Sequence, residues 1–368
     1  MRVMVLCSGD LWAGAEAMVY QLVNGLAGIP NLDLLIVLLN KGRLAKKLEK
    51  RGIEVHIIEE SKHSFLAIVR SVRKSVAEFS PDVIHSHRYK ENMLAWFAAI
   101  GRKNIKLVAT QHGMPETGGE AISWADRLKT GLFFRMLSCC FDRTVLVSGE
   151  MRQLLFGSYG FSSKDIAVIH NGISIPKNIS HRNGQRVVIG SAGRLFPVKD
   201  FSLFVDLAHF LVMQIGTVDF VLAGDGPQHA MLEEKIKSYG LQERFRILGH
   251  QDDMDAFYRN LDLYINTSIH EGIPMSVLEA MSYGLPVVAA KVGGFPEIVQ
   301  NGEQGFLVDV RNKNAYVDRV LELILNQDLR LKMAKSARKK IVDYFSQKTM
   351  AEKYYQLYQE LDNIKKLL

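Results

Sequence analysis

Short runs rich in Val, Ile and Leu alternate along the whole chain with stretches whose apolar residues recur every three or four positions. That alternation is the pattern of parallel sheets covered by helices on both faces. In the first half it predicts strands at Val3–Cys7, Leu34–Leu39, Glu54–Ile58, Asp82–His87, Lys106–Gln111, Thr144–Ser148 and Ile166–His170. Helices are predicted between them at Ala15–Leu26, Leu44–Arg51, Phe65–Phe79, Asn92–Ile100 and, after a Gly-rich loop, Asp126–Cys140. The alternation restarts at Arg186–Gly190 and runs through strands Phe220–Ala223, Phe245–Leu248, Leu263–Asn266 and Pro286–Ala289, with helices between and a helical stretch at Phe345–Leu368.

A chain of 368 residues is longer than one hydrophobic core usually serves. We therefore expect an α/β protein of two Rossmann-like, doubly wound domains facing each other across a cleft. Residues 1–176 form the first and 186–344 the second. The polar stretch 177–185, which follows a turn-forming Asn171-Gly172 and the helix-breaking Pro176, is the expected linker. The last stretch, 345–368, is a helix placed to pack back on the N-terminal domain. Open α/β sheets bind ligands outside the carboxyl ends of their strands, so the loops there are where chemistry is to be sought.

Composition adds little except through charge. Hydrophobic residues make up 48% and no apolar run approaches the length that spans a bilayer. Three cysteines, two of them adjacent at Cys139-Cys140, offer neither a disulfide framework nor metal-ligand spacing, which suits a reducing cytoplasm. The apolar start is too short for an export signal and reads as a strand. The net charge of +7 is unevenly placed: residues 1–185 hold 24 Lys/Arg against 16 Asp/Glu, the remainder 22 against 23. No motif of nucleic-acid recognition accompanies that excess, so no nucleic-acid partner is expected. The alternative is an anionic membrane surface, contacted through Lys62–Phe79, where Phe65, Val69, Val72, Val76 and Phe79 form a stripe beside Arg70, Arg73 and Lys74. A helix packed on its sheet with a solvated basic face accounts for the same residues.

The stretch Glu271–Pro286 carries most of the candidate chemistry. Pro274 fits a helix start and Gly284 a left-handed stop. Because the helix follows a strand end, the free N–H groups of Met275, Ser276 and Val277 make an anion site suited to phosphate. Glu271 and Glu279, before and inside the helix, can reach different parts of one ligand, and a carboxylate beside a phosphate site commonly binds sugar hydroxyls. Arg194 and Lys199 in Ser191–Asp200 can clamp a pyrophosphate as it leaves.

Taken together these residues resemble the retaining GT-B glycosyltransferases of the GT4 type, also called glycosyl transferases group 1. Glu271 and Glu279 stand at the E-x7-E spacing of that family, continued by Gly284-Leu285-Pro286 and Gly293-Gly294-Phe295-Pro296-Glu297. Gly193-Arg194 with Lys199, Gly224-Asp225-Gly226-Pro227, Val168–Ile173, Asp82–His87 and Gln111-His112-Gly113 follow in the family's order. The resemblance implies that Arg194 and Lys199 hold the donor diphosphate and Glu279 the ribose diol. Glu271 with Gly272, Ile273, Pro274 and the N–H groups of Met275, Ser276 and Val277 would hold the transferred sugar. Gly14 would approach the donor through bare backbone, and His112 would face the donor sugar. Ala13 and Ser174 depart from the family's usual Gly and Asp.

The resemblance further implies a UDP-linked sugar donor, a glycan, lipid-linked or small-molecule acceptor, a place in cell-surface polysaccharide or glycoconjugate synthesis, and no required metal or cofactor. The expected location is the cytoplasm, peripheral at the inner face of the membrane. Asp253-Met254-Asp255 mimics a metal-binding D-x-D, but its place at a helix start suits capping. His85 and His87 share a strand face with no third ligand expected beside them, and read as strand-end histidines. A sugar-nucleotide 2-epimerase on the same fold, or an inactive nucleotide-sugar-binding protein, are the competing functions.

Overall fold

The computed structural model describes residues 1–10, 12–113, 124–179 and 184–367. The chain divides into two compact units, Met1–Ser174 with the segment from Gln347 onward, and Ile175–Ser346. The unit boundaries fall two residues from the expected 176 and 344. Of residues 177–185, expected as the linker, 177–179 and 184–185 group with the second unit, and 180–183 lie outside the described residues.

In the first unit the strands are β1 (Arg2–Cys7), β2 (Asp33–Leu38), β3 (Val55–Ile57), β4 (Val83–His87), β5 (Lys106–Gln111), β6 (Arg143–Leu146) and β7 (Ile166–Val168). They form one parallel sheet in the order β3-β2-β1-β4-β5-β6-β7. β1 is central and covered on both faces, so Val3 to Cys7 are all buried, as an unbroken apolar strand must be. One face is covered by helices Phe65–Phe79, Tyr89–Ala99, Trp124–Cys140 and Gly149–Ser158, and the core there includes Met4, Leu6, Ile84, Leu94, Ala109, Phe134 and Leu155.

The last of these helices, Gly149–Ser158, was not predicted: its apolar Met151, Leu154 and Leu155 stand at helical spacing but over little more than one turn. Helix Tyr89–Ala99 begins three residues before the expected Asn92. Its cap, Arg88, has φ +73°, a left-handed value unusual for a side-chain-bearing residue. In helix Phe65–Phe79 the buried face is Ile68, Val72, Ser75 and Val76, whereas Phe65 is exposed and Phe79 lies half-buried beneath the Arg2 guanidinium.

The C-terminal helix Gln347–Leu367 belongs to this first unit and packs on helix Gly14–Leu26. Gly25 allows the approach, since a Cβ there would lie 2.7 Å from that of Ala351. The chain is pinned as it arrives: Gln347 N–H donates to the Ile173 carbonyl at 2.7 Å, and Ser174 donates to the side chains of Gln21 and Gln347. Tyr354, Leu357, Tyr358 and Leu361 are buried on one face of this helix.

The second unit holds β8 (Val187–Ala192), β9 (Val218–Ala223), β10 (Phe245–Ile247), β11 (Leu263–Asn266), β12 (Val287–Ala290) and β13 (Gly305–Val308), parallel in the order β10-β9-β8-β11-β12-β13. Strand β13 was not predicted, being four residues long and opening on a glycine. Gly305 has φ +157° and a Cβ there would strike the Val287 backbone, so only glycine lets β13 pair at that point. In both sheets the strand order reverses at the middle, between β1 and β4 and between β8 and β11, and each reversal opens a crevice at the carboxyl ends.

Candidate active site

The reversal between β8 and β11 brings the second unit's candidate residues together. Gly193-Arg194-Leu195 follows β8, and Thr267 to Glu271 follow β11. The turn Gly224-Asp225-Gly226 backs the first of these loops. A Cβ on Gly224 would fall 1.9 Å from the Gly193 carbonyl oxygen, and Leu195 N–H donates to the Asp225 carbonyl at 3.0 Å. The two glycines are therefore a packing requirement that fixes Arg194. Its guanidinium stands 4.8 Å over the ring centre of Phe196.

Lys199 and Glu271, assigned to different parts of a donor by resemblance, are bonded to each other. Lys199 Nζ donates to Glu271 Oε1 at 2.6 Å, and Ser268 Oγ donates to the same oxygen at 2.7 Å. Thr267 Oγ1 donates to the Lys199 carbonyl at 2.8 Å, tying the loop after β11 to the loop after β8.

Glu279 is held by Tyr258, whose hydroxyl donates to Oε2 at 2.8 Å. Burial pushes the Tyr258 phenol well above its ordinary range, so it remains a donor, and the Tyr283 ring stacks on it at 5.5 Å. Neither Tyr258 nor Ser268 was picked out from the sequence. Tyr258 is one of several aromatics in a stretch of mixed polarity and carries no motif.

The helix after Glu271 runs over Met275–Ser282, with Pro274 as its cap and Gly284 at φ +74° as its stop. The expected trio of free N–H groups is reduced. Val277 N–H turns back to the Pro274 carbonyl at 3.2 Å, in a tight first turn, leaving those of Met275 and Ser276 outside such a bond. Gly293 packs against the Glu271 carbonyl, where a Cβ would lie at 1.8 Å, and Gly294 N–H donates to the Gly272 carbonyl at 2.9 Å. The segment 293–296 thus braces Glu271 and Gly272 from behind, while Ile273 and Pro274 are buried beside them.

Asp253 caps helix Met254–Arg259 by accepting the Ala256 N–H at 3.0 Å. Asp255 pairs with Arg259 at 2.7 Å and accepts from the Tyr283 hydroxyl. Among the described residues no group of three metal-ligating side chains is assembled.

In the first unit the polar side chains gather at the carboxyl ends of β1, β4 and β5. Gly14 opens its helix with no protein atom near the place its Cβ would occupy, so the backbone there is bare. Two residues on, Glu16 is fully buried. It accepts the Ala13 N–H at 3.2 Å and both its oxygens meet Arg88 Nη2, at 2.8 and 3.0 Å. Burial raises the Glu16 carboxyl despite Arg88. Glu91, in the first turn of helix Tyr89–Ala99 and 3% exposed, is pushed up by burial to about 7. Both carboxylates went unassigned from sequence, although Glu16 stands three residues past a helix cap, where a capping acid is common.

His112, just past β5, is half-buried. Its Nε2 lies 3.0 Å from His87 Nδ1, and the two rings stack at 5.2 Å. The expectation that no third histidine adjoins His85 and His87 is therefore wrong. Side chains two residues apart on a strand share a face, and the β4–β5 register sets His87 opposite Thr110, so His112 joins them. Burial, then Arg88, lowers the His112 imidazole to about 3, and His85 is likewise lowered by burial.

Residues 175–340 match the family described as glycosyl transferases group 1, and residues 12–176 the one described as glycosyltransferase family 4. N-acetyl-α-D-glucosaminyl L-malate synthase of Bacillus anthracis is 22% identical over 86% of this chain and 92% of its own length. The UDP-Gal:α-D-GlcNAc-diphosphoundecaprenol α-1,3-galactosyltransferase of Escherichia coli is 25% identical over 78% of each. Among solved structures, Anabaena HepE in complex with UDP-glucose superposes with a TM-score of 0.84 at 22% identity, over 98% of this chain and all of that one.

Proposed function

The chain belongs to the GT4-type glycosyltransferases of the GT-B fold, and from that premise we propose that it moves a hexose from a UDP-linked donor, with retention of configuration, to a saccharide or lipid-linked acceptor of cell-surface glycan synthesis. One observation carries the reading: the loops after β8 and β11, neighbours at the strand-order reversal, present Arg194, the Lys199–Glu271 pair and the N–H groups of Met275 and Ser276 at the carboxyl end of one sheet. Cations and a helix start beside a sugar-binding carboxylate suit a nucleoside diphosphate sugar. Uridine is supported by the HepE complexes with UDP and UDP-glucose and by the galactosyltransferase relative.

As the anomeric bond breaks, charge collects on the departing diphosphate, and these fixed cations and dipoles stabilise it without a metal. Front-face attack, in which the leaving phosphate oxygen helps take the acceptor proton, fits this arrangement, and the resemblance gives His112 the contact with the donor sugar. A panel of UDP-glucose, UDP-galactose, UDP-N-acetylglucosamine and the matching GDP sugars tests the donor by thermal shift. A true donor at about 100 times its Kd stabilises by roughly 2.7 kcal/mol. Stabilisation by GDP sugars alone would remove the uridine assignment. Product mapping then separates transfer from epimerisation or inert binding.

Glu279→Ala is expected to weaken UDP binding by about 1.5–3 kcal/mol, the scale of a hydrogen bond to a charged group, because the ribose diol loses its acceptor. Glu271→Ala should leave UDP affinity nearly unchanged and lower turnover. Calorimetric titration of UDP into both variants checks the pair, and equal losses of affinity contradict the division of roles.

Arg73 Nη1 donates to the Phe97 carbonyl and Lys74 pairs with Glu78, so the basic face of Phe65–Phe79 is partly occupied. A better surface lies on helix Trp124–Cys140, where Trp124, Leu128 and Leu132 recur every fourth residue at 79%, 55% and 60% exposure, beside the exposed Arg127, Lys129 and Arg135. Apolar side chains flanked by bases suit an anionic bilayer surface. No described helix is long and apolar enough to cross a membrane. The protein should cosediment with phosphatidylglycerol vesicles at low salt, and Leu128→Ser with Leu132→Ser should release it. Retention of the unaltered protein in the supernatant makes a soluble acceptor the better assignment.

A further inference from the structure

The histidines at the carboxyl end of the first sheet form a continuous chain that begins on the C-terminal helix. His85 is fully buried and bonded at both nitrogens, Nδ1 to the Tyr358 hydroxyl at 2.6 Å and Nε2 to Thr110 Oγ1 at 2.7 Å. Thr110 Oγ1 in turn shares a hydrogen bond with the Tyr354 hydroxyl at 2.9 Å. The His85 ring stacks on Tyr354 at 5.1 Å and packs, tilted by 38°, against His87 at 4.3 Å. His87, also fully buried, makes one hydrogen bond, to His112, and its Nε2 has no partner among the described residues.

We infer that His87 is a positioning residue for His112, fixing its ring orientation and tautomer, and that Tyr354 and Tyr358 hold this brace in place through His85.

Both imidazoles in the His87–His112 bond are kept neutral by burial, so one ring supplies the N–H and the other the lone pair. If His112 donated, His87 would have to carry its own proton on Nε2, leaving a buried N–H unpaired. Buried N–H groups go unpaired less often than acceptors do. The favoured arrangement therefore has His87 Nδ1–H donating to His112 Nε2. That places the His112 proton on Nδ1, and the half-buried His112 then offers an N–H to a ligand oxygen. A sugar hydroxyl can accept from a donor of this kind. The C-terminal helix thus serves as more than a packing element, since its tyrosine hydroxyls hold the ring that His87 packs against.

The inference uses the proposed role of His112 only for its consequence in turnover, so its test has two readouts. The first is the imidazole ¹⁵N spectrum, with the His112 signals assigned by their loss in His112→Phe. The second is slow hydrolysis of UDP-glucose, which needs no acceptor. His112 is expected as the single Nδ1–H tautomer. In His87→Phe that tautomer should give way to a mixture, with kcat about 10- to 100-fold lower and KM within about threefold, the scale seen when the partner orienting a histidine is lost. His87→Asn, which can offer an amide N–H near the same place, should restore most of kcat. Should His87→Phe fail to fold, Tyr358→Phe removes a single oxygen and should broaden the His112 tautomer signal in the same direction. An unchanged His112 spectrum in a folded His87→Phe or Tyr358→Phe chain, or His87→Asn no better than His87→Phe, overturns the inference. A changed spectrum with unchanged turnover supports the brace and instead removes His112 from the reaction.

Discussion

Replacing Arg194 with alanine is expected to lower kcat by about two to three orders of magnitude, with a much smaller change in donor KM. The leaving diphosphate gains charge only as the bond breaks, so a cation aimed at it contributes most in the transition state, and loss of one such preorganised donor costs about 10²–10³ in rate. Arg194 is preorganised by backbone: Gly193 and Leu195 on either side are locked to the turn Gly224-Asp225-Gly226. Arg194→Lys should recover little, because an ammonium lacks the two-pronged geometry of a guanidinium.

Lys199→Ala should cost less than Arg194→Ala and should not add to Glu271→Ala. Each removes one partner of the same 2.6 Å pair and leaves the other side chain altered. Single-turnover rates on the singles and the double separate these outcomes, and full additivity would show that the pair is not a working unit. Chelation should leave at least part of the activity. Complete loss in EDTA, restored by Mn²⁺ or Mg²⁺, would require a metal and return attention to Asp253 and Asp255.

What could be read from the sequence follows how each residue earns its place. The parallel strands β1, β11 and β12 are buried and read as near-continuous apolar runs, which is a local property of the chain. The places of Arg194, Lys199, Glu271 and Glu279 in the fold were also legible, because strand ends and helix starts carry Gly and Pro at set offsets. Tyr258, Ser268, Glu16 and Glu91 were not. Ser268 serves Glu271, three residues on, and Glu91 matters through burial, whereas Tyr258 and Glu16 matter through partners that topology brings, Glu279 at 21 residues' separation and Arg88 at 72. The His87–His112 bond is of the same kind, since it depends on the β4–β5 register. β13 escaped for a local reason, since its opening glycine is what permits its pairing.

The other large effect expected is on stability, at Glu91. Its carboxyl is 3% exposed and raised by burial from 4.5 to about 7, with Glu60 adding to the rise and its own backbone N–H, Arg88 and Lys90 opposing it. A group raised in the folded state binds its proton more tightly there than in the unfolded chain. Its contribution is fully present below about pH 4.5 and lost as pH rises through about 7. At pH 8 the folded chain therefore holds a buried carboxylate at a cost of up to about 3 kcal/mol, from 1.4 kcal/mol per tenfold change in proton affinity. Glu91→Gln keeps the shape and removes the charge, so it should raise the thermal midpoint at pH 8 and leave it nearly unchanged at pH 4.5. Comparing the two chains at both pH values cancels every other titrating group they share. A midpoint difference that is the same at pH 4.5 and pH 8 would place the Glu91 carboxyl in the ordinary range and show that water reaches it.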